Sequence, residues 1–313
     1  LGFFYVKASN FTPFIPPSQP ASTVEGSSAV TGVMTQPLWQ FATGMTPSVY
    51  GVPGILSGAA LVFFAFIGFD VVATASEETK NPHKNVPLGI GVGMLLIIVM
   101  YMLVAVVTTG MVSYADLAKQ DSPSLATAFE LVGADWAAKI ISFGIVLGLA
   151  TVVMVLLLGL TRIVFAMSRD GLLPRGLSKT GKHGTPAALQ IVVGAVVALV
   201  AAFFDIGVLS DMVNIGTLSA FTLVAISIPI MRKKRPDLPR AFKMPGSPWI
   251  PILIAVANFW LMLNLSVLTW IRFVVWLVVG FAIYFGYGYW HARLGKGDLT
   301  ETLSAETDKA VNG

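Results

Sequence analysis

The clearest candidate for chemistry in this sequence is an aspartate inside an apolar run. The run GILSGAALVFFAFIGFDVVATA covers residues 54–75 and places Asp70 two residues after Gly68. An ionised side chain in such a run is costly, so it usually faces a cavity or a partner. Glycine adopts backbone angles that other residues avoid, and an interrupted membrane helix exposes backbone groups that can hold a polar ligand. Together, Gly68 and Asp70 predict a helix break within residues 67–70, with a binding site beside it.

Structural explanations for the same two residues remain open. Glycine in a membrane helix most often lets a neighbouring helix pack closely, and Asp70 can instead pair with a polar group on another helix. The aspartate favours the binding site, because placing its charge in the membrane costs at least about 2.5 kcal/mol even on lenient insertion scales.

Apolar helices must position these residues. Hydrophobic residues make up 55% of the chain and charged residues 12%, about half the charged share of an ordinary soluble domain. A helix that crosses a hydrocarbon core of roughly 30 Å needs about 20 apolar residues. Runs of about that length cover residues 54–76, 88–112, 140–161, 187–204, 212–231, 250–271 and 273–290. The sequence therefore predicts an all-α integral membrane protein with seven transmembrane helices and an N-terminal stub.

The segments around these runs predict the domain organisation. Residues 1–6 are expected to be the end of a truncated transmembrane helix, and the chain to be the C-terminal part of a longer protein. Residues 7–53 are rich in Pro, Ser, Thr and Gly and predict an extracellular loop. The bundle is expected over residues 54–291, and the polar residues 292–313 predict a disordered cytoplasmic tail.

The distribution of positive charge predicts the orientation. Of the 20 Lys and Arg residues, 16 follow the first, third, fifth or seventh run, and 4 lie on the other side. Cytoplasmic loops carry such an excess, so the C-terminus is expected in the cytoplasm. This placement accounts for the net charge of +4 without a nucleic-acid partner. The basic residues of 232–243 can also bind anionic membrane lipid, although setting the topology is the favoured explanation.

A short helix is predicted between the second and third runs. Ser122 stands at the expected N-cap and Pro123 at the first helical position. Leu125, Phe129 and Trp136 follow at helical spacing. We interpret this segment as a helix that lies in the outer membrane interface.

Four segments occur in the order of a known family. They are IGFDVVATASEETKNPHKNVP, GLTRIVFAMSRDGLLPRGLSK followed by GTP, DMVNIGTLSAF, and RPDLPRAFKMPGSPWIP. They resemble helices six, eight and ten and the inner loops of the amino acid–polyamine–organocation superfamily, above all its cationic amino acid transporter family and bacterial relatives. The resemblance implies a leucine-transporter-like fold of two inverted five-helix repeats and two further helices.

In this resemblance the chain corresponds to the end of helix five and helices six to twelve. The family's glycine-rich break in helix one, its third helix and a lysine on helix five all lie outside the sequence. The missing N-terminal helices of the same protein are therefore expected partners, and the chain alone is not expected to transport.

Substrate-binding candidates lie at the broken first span and on the fifth span, and the resemblance implies the aromatic at Phe64. The candidates are Phe64, Ile67, Gly68, Phe69, Asp70, Thr217 and Ser219. Phe64 is expected to lie over the site as an aromatic gate, where a cation–π contact suits an amine. Thr217 and Ser219 can line the substrate path, although hydroxyls in membrane helices more often bond to neighbouring backbone.

Arg162, Arg169 and Asp170 stand where the third span is expected to reach the cytoplasm. One interpretation is an inner gate that opens and closes with ion pairing. The other is a pair of arginines that extend towards the interface, followed by a turn aspartate ahead of Gly171. The sequence does not separate the two.

The predicted function is a secondary active amino acid transporter of the plasma membrane that is coupled to protons or works by exchange. Asp70 can carry the coupling proton, or it can stay charged and order the helix break. A seven-helix receptor or sensor is the alternative, because it would have the same topology. The chain has no cysteine, and its three histidines are far apart, so no metal or cofactor is predicted. No nucleophile–base pair or nucleotide motif indicates an enzyme.

Overall fold

Helices make up nearly all of the regular structure. The computed structural model describes residues 2–21, 32–69, 79–120, 123–178, 186–236 and 246–292. The helices are α1 (Leu38–Thr43), α2 (Gly51–Val62), α3 (Pro82–Met111), α4 (Tyr114–Ala118), α5 (Leu125–Leu131), α6 (Asp135–Arg169), α7 (Ala187–Phe203), α8 (Ile206–Lys234), α9 (Trp249–Leu263), α10 (Val267–Ile283) and α11 (Tyr289–His291). Single 3₁₀ turns cover Gly2–Tyr5, Ala8–Phe11, Phe63–Phe66 and Arg175–Ser178, and a π turn over Tyr284–Gly288 joins α10 to α11.

Among the described residues, four helical segments are long and apolar enough to cross a membrane. They are Lys84–Met111, Asp135–Arg169, Ile206–Lys234 and Val267–His291. Shorter apolar helices cover Gly51–Phe66, Ala187–Phe203 and Trp249–Leu263. The first two long segments bury none of their most apolar stretch within the chain, as expected for helices whose partner is lipid. The all-α membrane class is confirmed, while seven spans and the inverted repeat remain predictions.

The chain divides into two compact units. The first comprises residues 1–150 and 207–271, and the second comprises residues 151–206 and 272–313. In the first unit, a two-stranded antiparallel ladder pairs β1 (Gln19–Pro20) with β2 (Ser48–Val49). A buried cluster of the same unit joins the end of α3 to α5 and to the start of α6. Its members are Met111, Val112, Ala126, Ala128, Phe129, Ala134, Ala137 and Ala138.

Ser124 caps α5, so the predicted cap at Ser122 is wrong. The Ser124 Oγ accepts a hydrogen bond from the Thr127 backbone N–H at 3.1 Å, and α5 begins at the next residue. Ser124 has the extended backbone that an N-cap needs, whereas Ser122 lies outside the described residues. Gly133, with φ +77°, follows the end of α5, and Trp136 therefore belongs to α6. The buried residues of α5 pack against the end of α3 and the start of α6, and the location of α5 in the outer membrane interface stays a prediction.

The predicted boundary between the sixth and seventh spans is also wrong. Instead of a break between residues 271 and 273, the chain turns over residues 264–266. The Ser266 Oγ accepts from the Thr269 N–H at 3.2 Å and so caps the start of α10. Arg272 therefore lies inside α10 and not in a connecting loop. The cap lies within a continuous apolar pattern, which is why periodicity placed the boundary too late.

The buried cluster predicts a selective loss of stability on truncation. Phe129 is 5% exposed, so Phe129→Ala should lower the free energy of unfolding by about 3–5 kcal/mol. Leu131→Ala is the matched control on the same helix, because Leu131 is 44% exposed. Unfolding of the detergent-solubilised protein measures both. Equal losses for the two variants would show that the cluster does not stabilise this end of the chain.

Candidate functional site

The first apolar run ends its helix where the sequence predicts a break. After α2, the chain makes the 3₁₀ turn Phe63–Phe66, in which the Ile67 N–H donates to the Phe64 carbonyl at 3.2 Å. Ile67 is extended, with ψ 137°, and Gly68 has φ +120°. Only glycine adopts that φ without strain. The predicted break is therefore present at Ile67 and Gly68, whereas Asp70 lies outside the described residues.

A tyrosine from α3 bonds to the last turn before this break. The Tyr101 Oη donates to the Ala65 carbonyl at 2.7 Å. In an unbroken helix, the donor to this carbonyl would be the Phe69 N–H, four residues on. The Tyr101 ring also contacts the edge of Phe66, with centroids 5.2 Å apart. Tyr101 thus replaces a helical donor and packs against the same turn.

A buried asparagine from α8 bonds to the end of α2. Asn214 is fully buried, and its Nδ2 donates to the Leu61 carbonyl at 3.3 Å. Its Oδ1 has no hydrogen-bond partner among the residues that the structure describes. Leu218, one turn further along α8, is also fully buried. This face of α8 therefore packs beside the broken span and brings a polar acceptor there.

An aromatic ring of α8 contacts residues on both sides of the break. The Phe221 ring lies 6.1 Å from the Phe63 ring and 5.4 Å from the Phe69 ring, between centroids. The predicted gate Phe64 lies on the 3₁₀ turn and is 42% exposed.

The two predicted hydroxyl residues of α8 differ in position. Thr217 stands three residues after Asn214 and four before Phe221, so it shares their helix face. Ser219 stands five residues after Asn214, on another face, and its Oγ donates to the Gly216 carbonyl at 2.7 Å. Ser219 therefore bonds to neighbouring backbone, which was the alternative explanation for these hydroxyls. Thr217 lies on the side of α8 that contacts the broken span.

Asp211 is a functional candidate that the sequence interpretation missed. The fifth apolar run was predicted over residues 212–231, which leaves Asp211 outside it. That boundary is wrong, because α8 begins at Ile206 and includes Asp211. Asp205, a residue type favoured at the N-cap, directly precedes α8 and could have marked its start. Asp211 lines a cavity of about 360 Å³ together with residues of α2.

The gate candidates Arg169 and Asp170 lie at the C-terminal end of α6, and Arg162 lies earlier on the same helix. Gly171 has φ +83°, its N–H donates to the Ser168 carbonyl, and the Leu172 N–H donates to the Met167 carbonyl at 2.9 Å. This pair of bonds is a Schellman motif, which ends helices at a glycine. The Arg169 Nε lies 3.5 Å from the Asp170 Oδ1, and both side chains are more than half exposed.

Arg162 stands seven residues before Arg169 on α6 and is partly buried. The structure thus brings Arg169 and Asp170 together as chain neighbours at a helix end. An exposed pair of this kind contributes about 0–1 kcal/mol. The local geometry supports the turn interpretation of Asp170, and the gate stays a prediction.

The comparisons with known proteins all match permeases or transporters. A family model described as amino acid permease matches residues 1–289. The branched-chain amino acid permease BcaP of Bacillus subtilis (strain 168) is 47% identical over 247 residues, which cover 79% of this chain and 53% of the relative. The methylthioribose transporter of the same organism is 39% identical over 297 residues, which cover 95% of this chain and 57% of the relative.

A plant protein extends the comparison. The mitochondrial cationic amino acid transporter 3 of Arabidopsis thaliana is 45% identical over 195 residues, which cover 62% of this chain and 31% of the relative. The chain thus spans about half the length, or less, of these curated relatives. All three relatives are named as transporters or permeases.

The backbone at the break predicts a glycine-specific effect. Gly68→Ala forces a side chain into a φ of +120° and should cost about 1–3 kcal/mol, although a Cβ would meet nothing within 4 Å. Gly89→Ala on α3 is the control, because that site is equally open and has ordinary helical angles. Thermal unfolding of the purified variants measures the difference. A Gly68→Ala protein as stable as the Gly89→Ala protein would contradict the strained break.

Proposed function

The chain belongs to the amino acid permease family, and from that premise we propose that the protein is a secondary active transporter of amino acids. Membership confirms the resemblance carried by the four sequence segments. The relatives are transporters and not enzymes, and nothing in the comparisons supports a receptor. The protein is membrane-embedded, with long apolar helices that a bilayer would cover.

The proposed substrate site is the break after α2, and the observation that carries it is the extended Ile67 followed by Gly68. Carbonyl groups that leave helical geometry can accept hydrogen bonds from a substrate ammonium. Phe64 would close over the amine, and Thr217 would line the path from α8. Phe69 would form the wall that Phe221 contacts, and Asp70 would complete the polar side of the break.

The site requires other parts of the protein. Because the relatives are about twice as long as the region they share with this chain, we assign the rest of the site to helices that precede this chain. From the distribution of positive charge we propose that the C-terminus lies in the cytoplasm, and the plasma membrane is the proposed location. Arg162, Arg169 and Asp170 would then face the cytoplasm as candidates for the inner gate, and the basic residues near 232 would face the lipid headgroups.

A second candidate substrate comes from another of these relatives. The methylthioribose transporter covers 95% of this chain, and methylthioribose is an uncharged thioether sugar. It has no ammonium group, so it would bind through its hydroxyls and apolar sulfur. Amino acids remain the first proposal, because the family description and two of the three relatives name them.

Uptake by the complete protein in liposomes tests both the class of substrate and the role of the break. Labelled leucine, lysine and methylthioribose are offered separately and in competition, and uptake of an amino acid is expected. Tyr101→Phe keeps the ring contact with Phe66 but loses the hydrogen bond to Ala65. That bond contributes about 1 kcal/mol, so its loss should raise KM several-fold and lower the free energy of unfolding by about 1 kcal/mol.

Tyr114→Phe is the control for Tyr101→Phe, because Tyr114 lies on α4 and stacks edge-on against Tyr50, away from the break. The assignment of the break as the substrate site is wrong if both variants keep the wild-type KM. Uptake of methylthioribose alone would overturn the amino acid proposal and leave the break site to be tested with that sugar.

Energy coupling is proposed to use protons or exchange rather than sodium. Asp70→Asn removes the ionisable group but keeps the size of the side chain, so uptake that depends on Asp70 should stop following an imposed pH gradient. If Asp70→Asn liposomes still respond to the gradient, Asp70 is not the coupling group. Wild-type uptake that requires sodium and ignores pH would contradict proton coupling altogether.

A further inference from the structure

The carboxamide of Asn214 on α8 carries an unpaired acceptor beside the broken span. Asn214 is fully buried, and its Nδ2 donates to the Leu61 carbonyl at 3.3 Å. Its Oδ1 has no hydrogen-bond partner in the described part of the chain. Turning the carboxamide by half a rotation would bring its oxygen against the Leu61 carbonyl oxygen, and two acceptors cannot bond to each other. The unpaired atom is therefore the oxygen, which needs a donor.

The contact with Leu61 places this oxygen close to the break. In an unbroken helix the Leu61 carbonyl would accept from the Ala65 N–H, four residues on. Helical carbonyls point towards the C-terminal end of the helix, so a side chain that donates to this carbonyl lies near the level of Ala65. Ile67, the extended residue of the break, follows two residues later, about 4 Å along a 3₁₀ turn. A polar group bound at Ile67 is therefore close enough to contact Asn214.

Other residues of α8 show that the same helix face follows the span through the break. Phe221, two turns after Asn214, contacts the rings of Phe63 and Phe69. Thr217 lies between Asn214 and Phe221 on this face. Asn214 therefore adds an amide oxygen to a surface that otherwise offers a ring and a hydroxyl to the break.

The surroundings of Asn214 exclude solvent. Ile215 and Leu218, its neighbours on α8, are 1% and 0% exposed. A buried acceptor that has lost its water and gained no partner costs free energy. A ligand with a donor group that reaches the Asn214 Oδ1 recovers this free energy.

The position of Asn214 distinguishes it from other buried side-chain atoms that lack a partner. Among the residues that the structure describes, these atoms are the Trp39 Nε1, the Gln40 Oε1 and the Asn264 Oδ1. Trp39 and Gln40 lie on α1, and Asn264 directly follows α9. Asn264 donates to the Trp260 carbonyl of its own helix, whereas Asn214 donates to the broken span.

We propose that the Asn214 Oδ1 accepts a hydrogen bond from the ammonium group of the substrate, which makes Asn214 a substrate-binding residue. This inference rests on the proposed function and adds a side chain of α8 to the backbone carbonyls at the break. An ammonium group has three N–H donors, so it can bond to a carbonyl near Ile67 and to Asn214 at the same time. A hydrogen bond from a charged donor is stronger than one between neutral groups.

The carboxamide also connects the substrate to the end of α2. Its Oδ1 and Nδ2 belong to one planar group, so an ammonium on the oxygen fixes the orientation of the nitrogen that bonds to Leu61. Hydrogen bonds in such a chain polarise and strengthen one another. A bound ammonium would therefore strengthen the contact between α8 and α2.

Binding of labelled leucine and lysine to the complete protein in detergent tests this contact without transport. Asn214→Leu keeps the approximate size of the side chain and removes the acceptor, so Kd should rise at least about tenfold. Asn214→Asp keeps an oxygen acceptor but loses the donor to Leu61. Because a carboxylate attracts the ammonium, its Kd should stay within about threefold of wild type or fall below it.

Asn264→Leu is the matched control, because Asn264 is also a buried asparagine with an unpaired oxygen. Its Kd should equal that of wild type, and thermal unfolding shows whether each variant is folded. A purely structural Asn214 gives another pattern: both of its variants lose the bond to Leu61, so both would bind equally weakly.

That pattern would overturn the proposed contact. So would a folded Asn214→Leu protein with the wild-type Kd, or an Asn264→Leu protein that is weakened as much as Asn214→Leu. Each of these results leaves the proposed function in place, because wild type still binds an amino acid. If wild type binds neither leucine nor lysine, the proposed function fails, and the contact with the ammonium fails with it.

Discussion

Within a bilayer, no water can pair with backbone groups, so a membrane helix can stop midway only where other groups replace its hydrogen bonds. At the end of α2 these groups are side chains from two other helices. Tyr101 of α3 bonds to the Ala65 carbonyl, and Asn214 of α8 bonds to the Leu61 carbonyl. The break is therefore a feature of three helices together, although its glycine belongs to one. Any motion of α3 or α8 would act on the carbonyl groups next to Ile67.

The role of α8 follows from where its contacts lie. In its most apolar stretch 22% of the residues are buried, against none in the corresponding stretches of α3 and α6. Phe221 contacts rings before and after Gly68, and Asn214 lies two turns earlier on the same face. A helix that contacts both Phe63 and Phe69 is in position to respond to a displacement of the backbone on either side of Gly68.

Apolar periodicity was enough to predict the helical class, and Gly68 with its aromatic and acidic neighbours was enough to predict the break. Helix ends were less predictable, because they depend on which serine or aspartate bonds to the backbone. Ser124 and Ser266 cap helices inside patterns that periodicity continued through. Asp211 was missed for the same reason, since α8 starts earlier than its apolar run. The contacts of Tyr101 and Asn214 join residues 36 and 153 positions apart in sequence, and no local pattern contains such pairs.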